Sequence, residues 1–163
     1  MPFECYGSRG LDSTRIHEEI YVLEEIKNTG CRLINLPRNL DSRGNLTFIE
    51  GDVHVPFQIR RVFYLYDIPG GETRAGHALK TCQQFVIAAS GSFDAVVDNG
   101  IEKTRYRLDS CFYGLYIPAL IWRELENFSS GSVCLVLASE IYDAQGYYHS
   151  YEEFTRRVKG VLP

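Results

Sequence analysis

The stretch RAGHALKTCQQFVIAASG, residues 74–91, carries the strongest indication of the fold of this 163-residue chain. It holds His77, with Leu79 two residues on and Gln84 five residues after that. The run that follows is apolar and β-branched and ends at Gly91, which is typical of a short strand that closes in a turn. Polar side chains at fixed spacing before a buried strand indicate a site built on a β-sheet.

The spacing of this stretch resembles the first motif of the cupins, G-x5-H-x-H-x3–4-E-x6-G, with Gly71 as its first glycine. The second cupin motif, G-x5-P-x-G-x2-H-x3-N, resembles PALIWRELEN, in which Pro118 and Asn127 fit. Arg123 stands at the histidine position of that motif. The resemblance implies an all-β cupin domain, that is, a double-stranded β-helix or jelly-roll barrel.

The four positions that hold a metal in cupins read His77, Leu79, Gln84 and Arg123 in this chain. Leucine has no electron pair to donate, and arginine stays protonated and cannot ligate. One imidazole and a neutral amide make a poor metal site, so we predict no metal. The remaining imidazole, amide and guanidinium suit an anionic, hydroxyl-rich ligand, and a histidine suits proton transfer.

Short strands with turn signals follow one another from Cys31 onward, including a hairpin turn at Asn99-Gly100. This pattern predicts a sandwich or a closed barrel.

Helices are predicted at the two ends of the chain. Residues 12–29 carry a capping residue and an apolar stripe at helical spacing, and residues 150–162 are also helical in pattern. We therefore divide the chain into an N-terminal helical extension, 1–30, and a cupin domain, 31–163.

Composition excludes several classes of function. Hydrophobic residues make up 45% and charged residues 23%, as in ordinary globular proteins, and the net charge of −4 disfavours nucleic acid as a partner. No apolar run approaches the roughly 20 residues of a membrane span, and the N-terminus lacks the pattern of a signal peptide. Five cysteines without C-x-x-C spacing indicate free thiols, and we expect a cytoplasmic protein with no membrane partner.

A closer resemblance rests on DSRGNLTFIEG, PFQIRRVFYLYDIPGGETRAGHA, GLYIPALIWRE and LVLASEIYD, in colinear order over about residues 31–155. These stretches resemble the dTDP-sugar 3,4-ketoisomerases. The resemblance implies a metal-free isomerase without a cofactor, usually a homodimer. Such an enzyme moves the ketone of dTDP-4-keto-6-deoxyglucose from C4 to C3 during deoxy-sugar synthesis for surface polysaccharide such as O-antigen.

The family pattern R-G-x-H-A-H, with both histidines in the active site, reads Arg74-Ala75-Gly76-His77-Ala78-Leu79 here. The first histidine is kept and the second is replaced by leucine. Two alternatives therefore stand beside the ketoisomerase: a related nucleotide-sugar epimerase or isomerase, and a cupin that binds a nucleotide sugar without catalysis.

His77 is the predicted catalytic residue, which transfers a proton in a reaction that passes through an enediol. The alternative is a structural histidine beside a strand. Arg43 and Arg74 are predicted to bind the diphosphate, since arginine meets phosphate oxygens bidentately; the alternative is that they lie solvated on the surface. Tyr64, Tyr116 and Trp122 are predicted to stack on the thymine or line the sugar pocket; the alternative for each is packing in the core. Side-chain alternation and the motif favour an inward Arg123 over its neighbour. His54 and His149 are expected to be turn or solvated residues. The predicted substrate-binding residues are Arg43, Arg74, Gln84, Tyr64, Tyr116, Trp122 and Arg123.

Overall fold

The structure, a computed structural model, describes residues 22–25 and 29–160 of the chain. Within these ranges the chain forms short β-strands, one 3₁₀ turn at Ala144–Gly146 and one α-helix. In chain order the elements are β1 (Val22–Glu25), β2 (Arg32–Asn35), β3 (Arg38–Asn39), β4 (Leu46–Thr47), β5 (Arg61–Leu65), β6 (Arg74–Leu79), β7 (Gln84–Ser90), β8 (Phe93–Asp98), β9 (Lys103–Leu108), β10 (Tyr113–Ile117), β11 (Trp122–Glu126), β12 (Val133–Ala138), β13 (Tyr147–Tyr148) and α1 (Tyr151–Val158).

Two antiparallel sheets make up the body of the protein. Six strands pair in the order β1-β2-β10-β7-β12-β5, and five pair in the order β13-β6-β11-β8-β9, while β3 and β4 form a separate hairpin. The main apolar core lies between the sheets and includes Val86 and Val136 from the first and Val97 and Leu125 from the second. The all-β prediction is confirmed, although the pairing among the described residues leaves the two sheets unclosed.

Side-chain alternation assigns each residue of a strand to the inner or the outer face of its sheet. In β9, Tyr106 and Leu108 are buried, whereas Arg105 and Arg107 lie on the outer face. Both arginines meet the carboxylate of Asp94 on neighbouring β8 at 3.0 Å. Because both guanidinium groups are about half exposed, these ion pairs add little stability, and the burial of the inner face fixes the register.

A second apolar cluster covers the outer face of the six-stranded sheet. Phe85, Ile87 and Leu137 of this sheet pack there against Val55 and Phe57. Residues at alternate positions of these strands therefore face away from the space between the sheets.

The C-terminal helix predicted from the sequence is confirmed as α1. The Ser150 hydroxyl accepts a hydrogen bond from the Glu153 backbone N–H at 3.3 Å, which caps the first turn. Phe154 is fully buried and packs against Trp122 of β11, which holds the helix on the outer face of the five-stranded sheet. No helix within the described residues is long and apolar enough to cross a membrane.

The predicted N-terminal helix, residues 12–29, is wrong over Val22–Glu25. These residues form β1 and pair antiparallel with β2 at the edge of the six-stranded sheet. The free backbone groups of β2 give this segment hydrogen-bond partners that a local helical pattern does not take into account. Residues 12–21 and 26–28 lie outside the described residues.

Candidate functional site

A β-bulge in β6 sets the direction of the His77 side chain. Arg123 of β11 pairs with His77. The next residue on β11, Glu124, pairs with Ala75, so Gly76 is the extra residue. Ala75 and Gly76 have φ values of 70° and 68°, in the left-handed region that glycine adopts freely and alanine adopts only with strain. Bulges of this kind re-aim side chains beside functional sites, and here the strand holds His77 next to Arg123.

Arg123 is a buried charge on the inner face of the five-stranded sheet, as the motif and the alternation predicted; its exposed fraction is 2%. Its Nη1 donates to Gln84 Oε1 at 2.7 Å, and its Nη2 donates to the Ile121 carbonyl at 2.8 Å. Burial lowers the pKa of Arg123 to about 10, which leaves the guanidinium protonated at neutral pH. Gln84, which is also buried, thus holds a fixed positive charge in place beside the histidine.

His77 is a neutral base at neutral pH. The pKa of His77 is lowered from 6.5 to about 4. Burial is the largest cause of this change, and the positive charge of Arg123 is the second. A backbone hydrogen bond with Ala75 opposes both effects. A neutral imidazole can accept a proton, and its conjugate acid returns that proton readily because its pKa is low.

Leu79 stands two residues after His77 and faces the same side of β6. Its exposed fraction is 1%, and it packs with Cys82, Ala138 and the partly buried Tyr147. The position of the second histidine in the family pattern is therefore an apolar contact in this chain.

Two aromatic side chains that the sequence analysis did not place at the site lie beside His77. The Tyr147 ring meets the His77 ring edge-on, with centroids 5.0 Å apart. His149 lies 6.3 Å from His77 and stacks on Tyr147 at an interplanar angle of 3°. The available signal was the alternation of Tyr147 and His149 just before the Ser150 cap, which places both on one face of a short strand.

Trp122 and Tyr116 do not face the space between the sheets. Trp122 packs under α1, and its Nε1 donates to Glu124 Oε1 at 3.1 Å. Tyr116 lies on the outer face of the six-stranded sheet, where its hydroxyl donates to Gln83 Oε1 at 2.6 Å. The structure therefore gives both side chains packing roles away from His77.

Arg74 and Tyr64 line a surface cavity of about 430 Å³, together with the acidic residues Asp67 and Glu72. Tyr64 is 60% exposed, and its ring lies 5.6 Å from the Tyr66 ring. This cavity does not include His77 in its lining. The structure thus brings two of the predicted binding residues together, in a cavity at the start of the strand that carries His77.

Arg43 lies in an exposed turn, away from the cluster around His77. Its Nε and Nη2 donate to the two carboxylate oxygens of Asp41 at 2.9 Å each. These hydrogen bonds lower the pKa of Asp41 to about 2. In this conformation the guanidinium is already occupied by a neighbouring carboxylate.

No group of three or more histidine, cysteine, aspartate or glutamate side chains within the described residues is arranged to hold a metal ion. Cys31, Cys82 and Cys134 are buried free thiols. Burial raises the pKa of Cys31 to about 11 and that of Cys134 to about 12, so both thiols are protonated at neutral pH. The polar groups gathered on the inner face are His77 and Arg123, with Gln84, Tyr147 and His149 beside them.

Proteins of known activity resemble this chain over most of its length. It is 38% identical over 127 residues to TDP-4-oxo-6-deoxy-alpha-D-glucose-3,4-oxoisomerase of Aneurinibacillus thermoaerophilus, covering 78% of this chain and 91% of that protein. A mutant of QdtA, a 3,4-ketoisomerase from Thermoanaerobacterium thermosaccharolyticum solved with TDP-4-keto-6-deoxyglucose, matches with a TM-score of 0.80 at 34% identity. That match covers 84% of this chain and 99% of QdtA.

The WlaRB TDP-quinovose 3,4-ketoisomerase from Campylobacter jejuni is 42% identical, with a TM-score of 0.76 over 80% of this chain and 99% of WlaRB. Residues 29–159 of this chain also match the model of the family described as FdtA: WxcM-like, C-terminal. The resemblance to the sugar 3,4-ketoisomerases is thus confirmed, and the chain belongs to the FdtA family.

Proposed function

We propose that this protein is a 3,4-ketoisomerase that moves the ketone of dTDP-4-keto-6-deoxyglucose from C4 to C3. The observation that carries the proposal is the half-buried His77 on the inner face of the sheet, paired in register with the buried cation Arg123. The ketoisomerases named above, one of them solved with this sugar nucleotide, support the choice of substrate.

The proposed reaction begins with proton transfer from carbon. His77 removes the proton on C3, next to the C4 carbonyl, and the electrons of that bond form the enediolate. The positive charge of Arg123 nearby favours the negative charge that develops on the substrate. Return of the proton to C4 leaves the ketone at C3. This sequence needs no redox cofactor, and a positioned histidine of this kind contributes about 10²–10⁴ in rate.

The nucleotide is assigned in this proposal to the cavity beside Arg74. The arginine supplies a cation for the diphosphate, and the neighbouring rings of Tyr64 and Tyr66 offer faces on which thymine can stack. Because Arg74 begins the strand that carries His77, one strand would hold both ends of the substrate. Gln84 acts here by orienting Arg123.

A homodimer in the cytoplasm, serving deoxy-sugar synthesis for surface polysaccharide, completes the proposal. Val62 on the edge strand β5 is 57% exposed and lines an apolar groove of about 650 Å³ on the outer face of the six-stranded sheet. A second copy would cover this groove. The buried free thiols Cys31, Cys82 and Cys134 suit a reducing compartment.

Proton NMR of dTDP-4-keto-6-deoxyglucose with the protein in D₂O tests the proposal. The expected result is a 3-keto sugar that carries deuterium at C4, because the proton on His77 exchanges with D₂O before His77 protonates C4. His77→Asn should abolish both the product and deuterium uptake at C3, because asparagine cannot accept the proton. A substrate that stays unchanged at high protein concentration would exclude the isomerase and favour a binding role.

A further inference from the structure

The strand pairing that follows the 3₁₀ turn brings a second imidazole to His77. Tyr147 pairs with Leu79 and Tyr148 pairs with Ala78, antiparallel. Continuing this register by one residue places His149 opposite His77. The two rings, whose centroids are 6.3 Å apart, are cross-strand neighbours on one face of the sheet.

The backbone on both sides fixes the position of His149. On one side, the Lys80 backbone N–H donates to the Gly146 carbonyl at 2.9 Å, next to the paired strand β13. On the other side, Ser150 caps α1, which is anchored by the fully buried Phe154. The ring of His149 then stacks parallel to that of Tyr147. An exposed side chain would ordinarily sample many rotamers, so this stacking and these two anchors hold the imidazole beside the site.

His149 supplies an imidazole near the site, where Leu79 replaces the second histidine of the family pattern. The inner face of β6 has leucine at residue 79, so this strand offers a single imidazole to the substrate. The adjacent strand supplies the other imidazole at the register position opposite the first. His149 is exposed whereas His77 is half-buried, so of the two imidazoles His149 lies closer to solvent.

We propose that His149 is the second proton-transfer residue of the isomerisation and relays the hydroxyl proton between the two substrate oxygens. This inference rests on the proposed function. The C3–H bond breaks, its proton goes to His77, and the electrons form the C3=C4 bond as negative charge moves to O4. His149 takes the proton from the hydroxyl on O3 and gives it to O4. The C3=O bond then forms as C4 takes the proton from His77, so that both histidines end as they began.

The two roles predict different defects in matched variants. His77→Asn removes the base for carbon and should abolish both deuterium exchange at C3 and formation of the 3-keto product. His149→Asn should keep the exchange at C3, because His77 still removes that proton. Product formation should fall on the order of 10²-fold, the usual contribution of one positioned acid–base group.

Tyr148→Phe is the matched control. Tyr148 is a neighbour of His149 on β13, but it packs with Trp122 and Phe154 on the opposite face of the sheet. This variant should form product at the wild-type rate. Circular dichroism and thermal unfolding should show all three variants folded. His149 is exposed, and neither His77→Asn nor Tyr148→Phe removes a large side chain.

The experiment is proton NMR in D₂O, which follows exchange at C3 and appearance of product in the same sample. Product at the wild-type rate from His149→Asn would overturn the inference and leave the proposed function standing. An equal loss of exchange and product in His149→Asn would also overturn it, since His149 would then act only by supporting His77. If the unmodified protein shows neither exchange nor product, the proposed function fails and this inference fails with it.

Discussion

Replacing Arg123 by methionine tests how the site keeps His77 neutral. Methionine is also long and unbranched and leaves little empty space, but it removes the buried positive charge. The pKa of His77 stands at about 4 against an ordinary 6.5, a difference worth about 3 kcal/mol. Burial is the larger cause and the charge of Arg123 the next. The substitution should therefore raise the pKa of His77 but leave it below its ordinary value, because burial still lowers it.

Arg123→Met also leaves the Gln84 carbonyl oxygen without its partner, at a cost of about 1–3 kcal/mol. Gln84→Leu in the same chain removes that cost and should restore part of the stability without changing the pKa of His77 further. NMR titration of the His77 ring protons measures the pKa, and urea unfolding measures the stability. A pKa that stays near 4 would show that the histidine does not feel Arg123. A pKa that returns fully to 6.5 would show that charge, rather than burial, sets its value.

Three further predictions concern the stability and assembly of the chain. As pH falls from 6.5 towards 4, the unfolded chain binds a proton at His77 before the folded protein does. The free energy of unfolding should therefore fall by up to about 3 kcal/mol, and in urea unfolding His77→Asn should lack this dependence on pH. Leu79→Ala should lower the free energy of unfolding by about 2–5 kcal/mol, because the side chain is 1% exposed; a loss below 1 kcal/mol would contradict its packing. Val62→Lys should convert the proposed dimer to a monomer in analytical ultracentrifugation, whereas an unchanged dimer would place the interface elsewhere.

The inward position of Arg123 could be predicted from local sequence rules. Motif spacing selects Arg123, and the period of two along a strand then sends Trp122 to the opposite face. The place of His149 depends instead on pairing between β13 and β6, two segments far apart in the chain. A two-residue strand between a 3₁₀ turn and a helix cap carries too little periodicity to reveal that pairing.

In the fold, too, local capping signals could be read from the sequence, whereas the pairing of β1 with β2 could not. The C-terminal helix could be predicted because Ser150 and Glu153 form a capping signal within four residues. Residues 22–25 belong to a longer stretch with a helical pattern, but they pair with β2, which begins seven residues after β1 ends. Hydrogen bonds to a neighbouring strand thus override the local propensity for a helix.

The bulge at Gly76 also makes the length of this segment matter. Arg74 and His77 are three residues apart, and in a regular strand an odd separation puts side chains on opposite faces. The extra residue restores the match, because their partners on β11, Leu125 and Arg123, are two apart and share a face. Deletion of one residue between Arg74 and His77 would keep both side chains but put them on opposite faces of the sheet. A deletion in this segment should therefore damage the site more than a substitution that keeps its length.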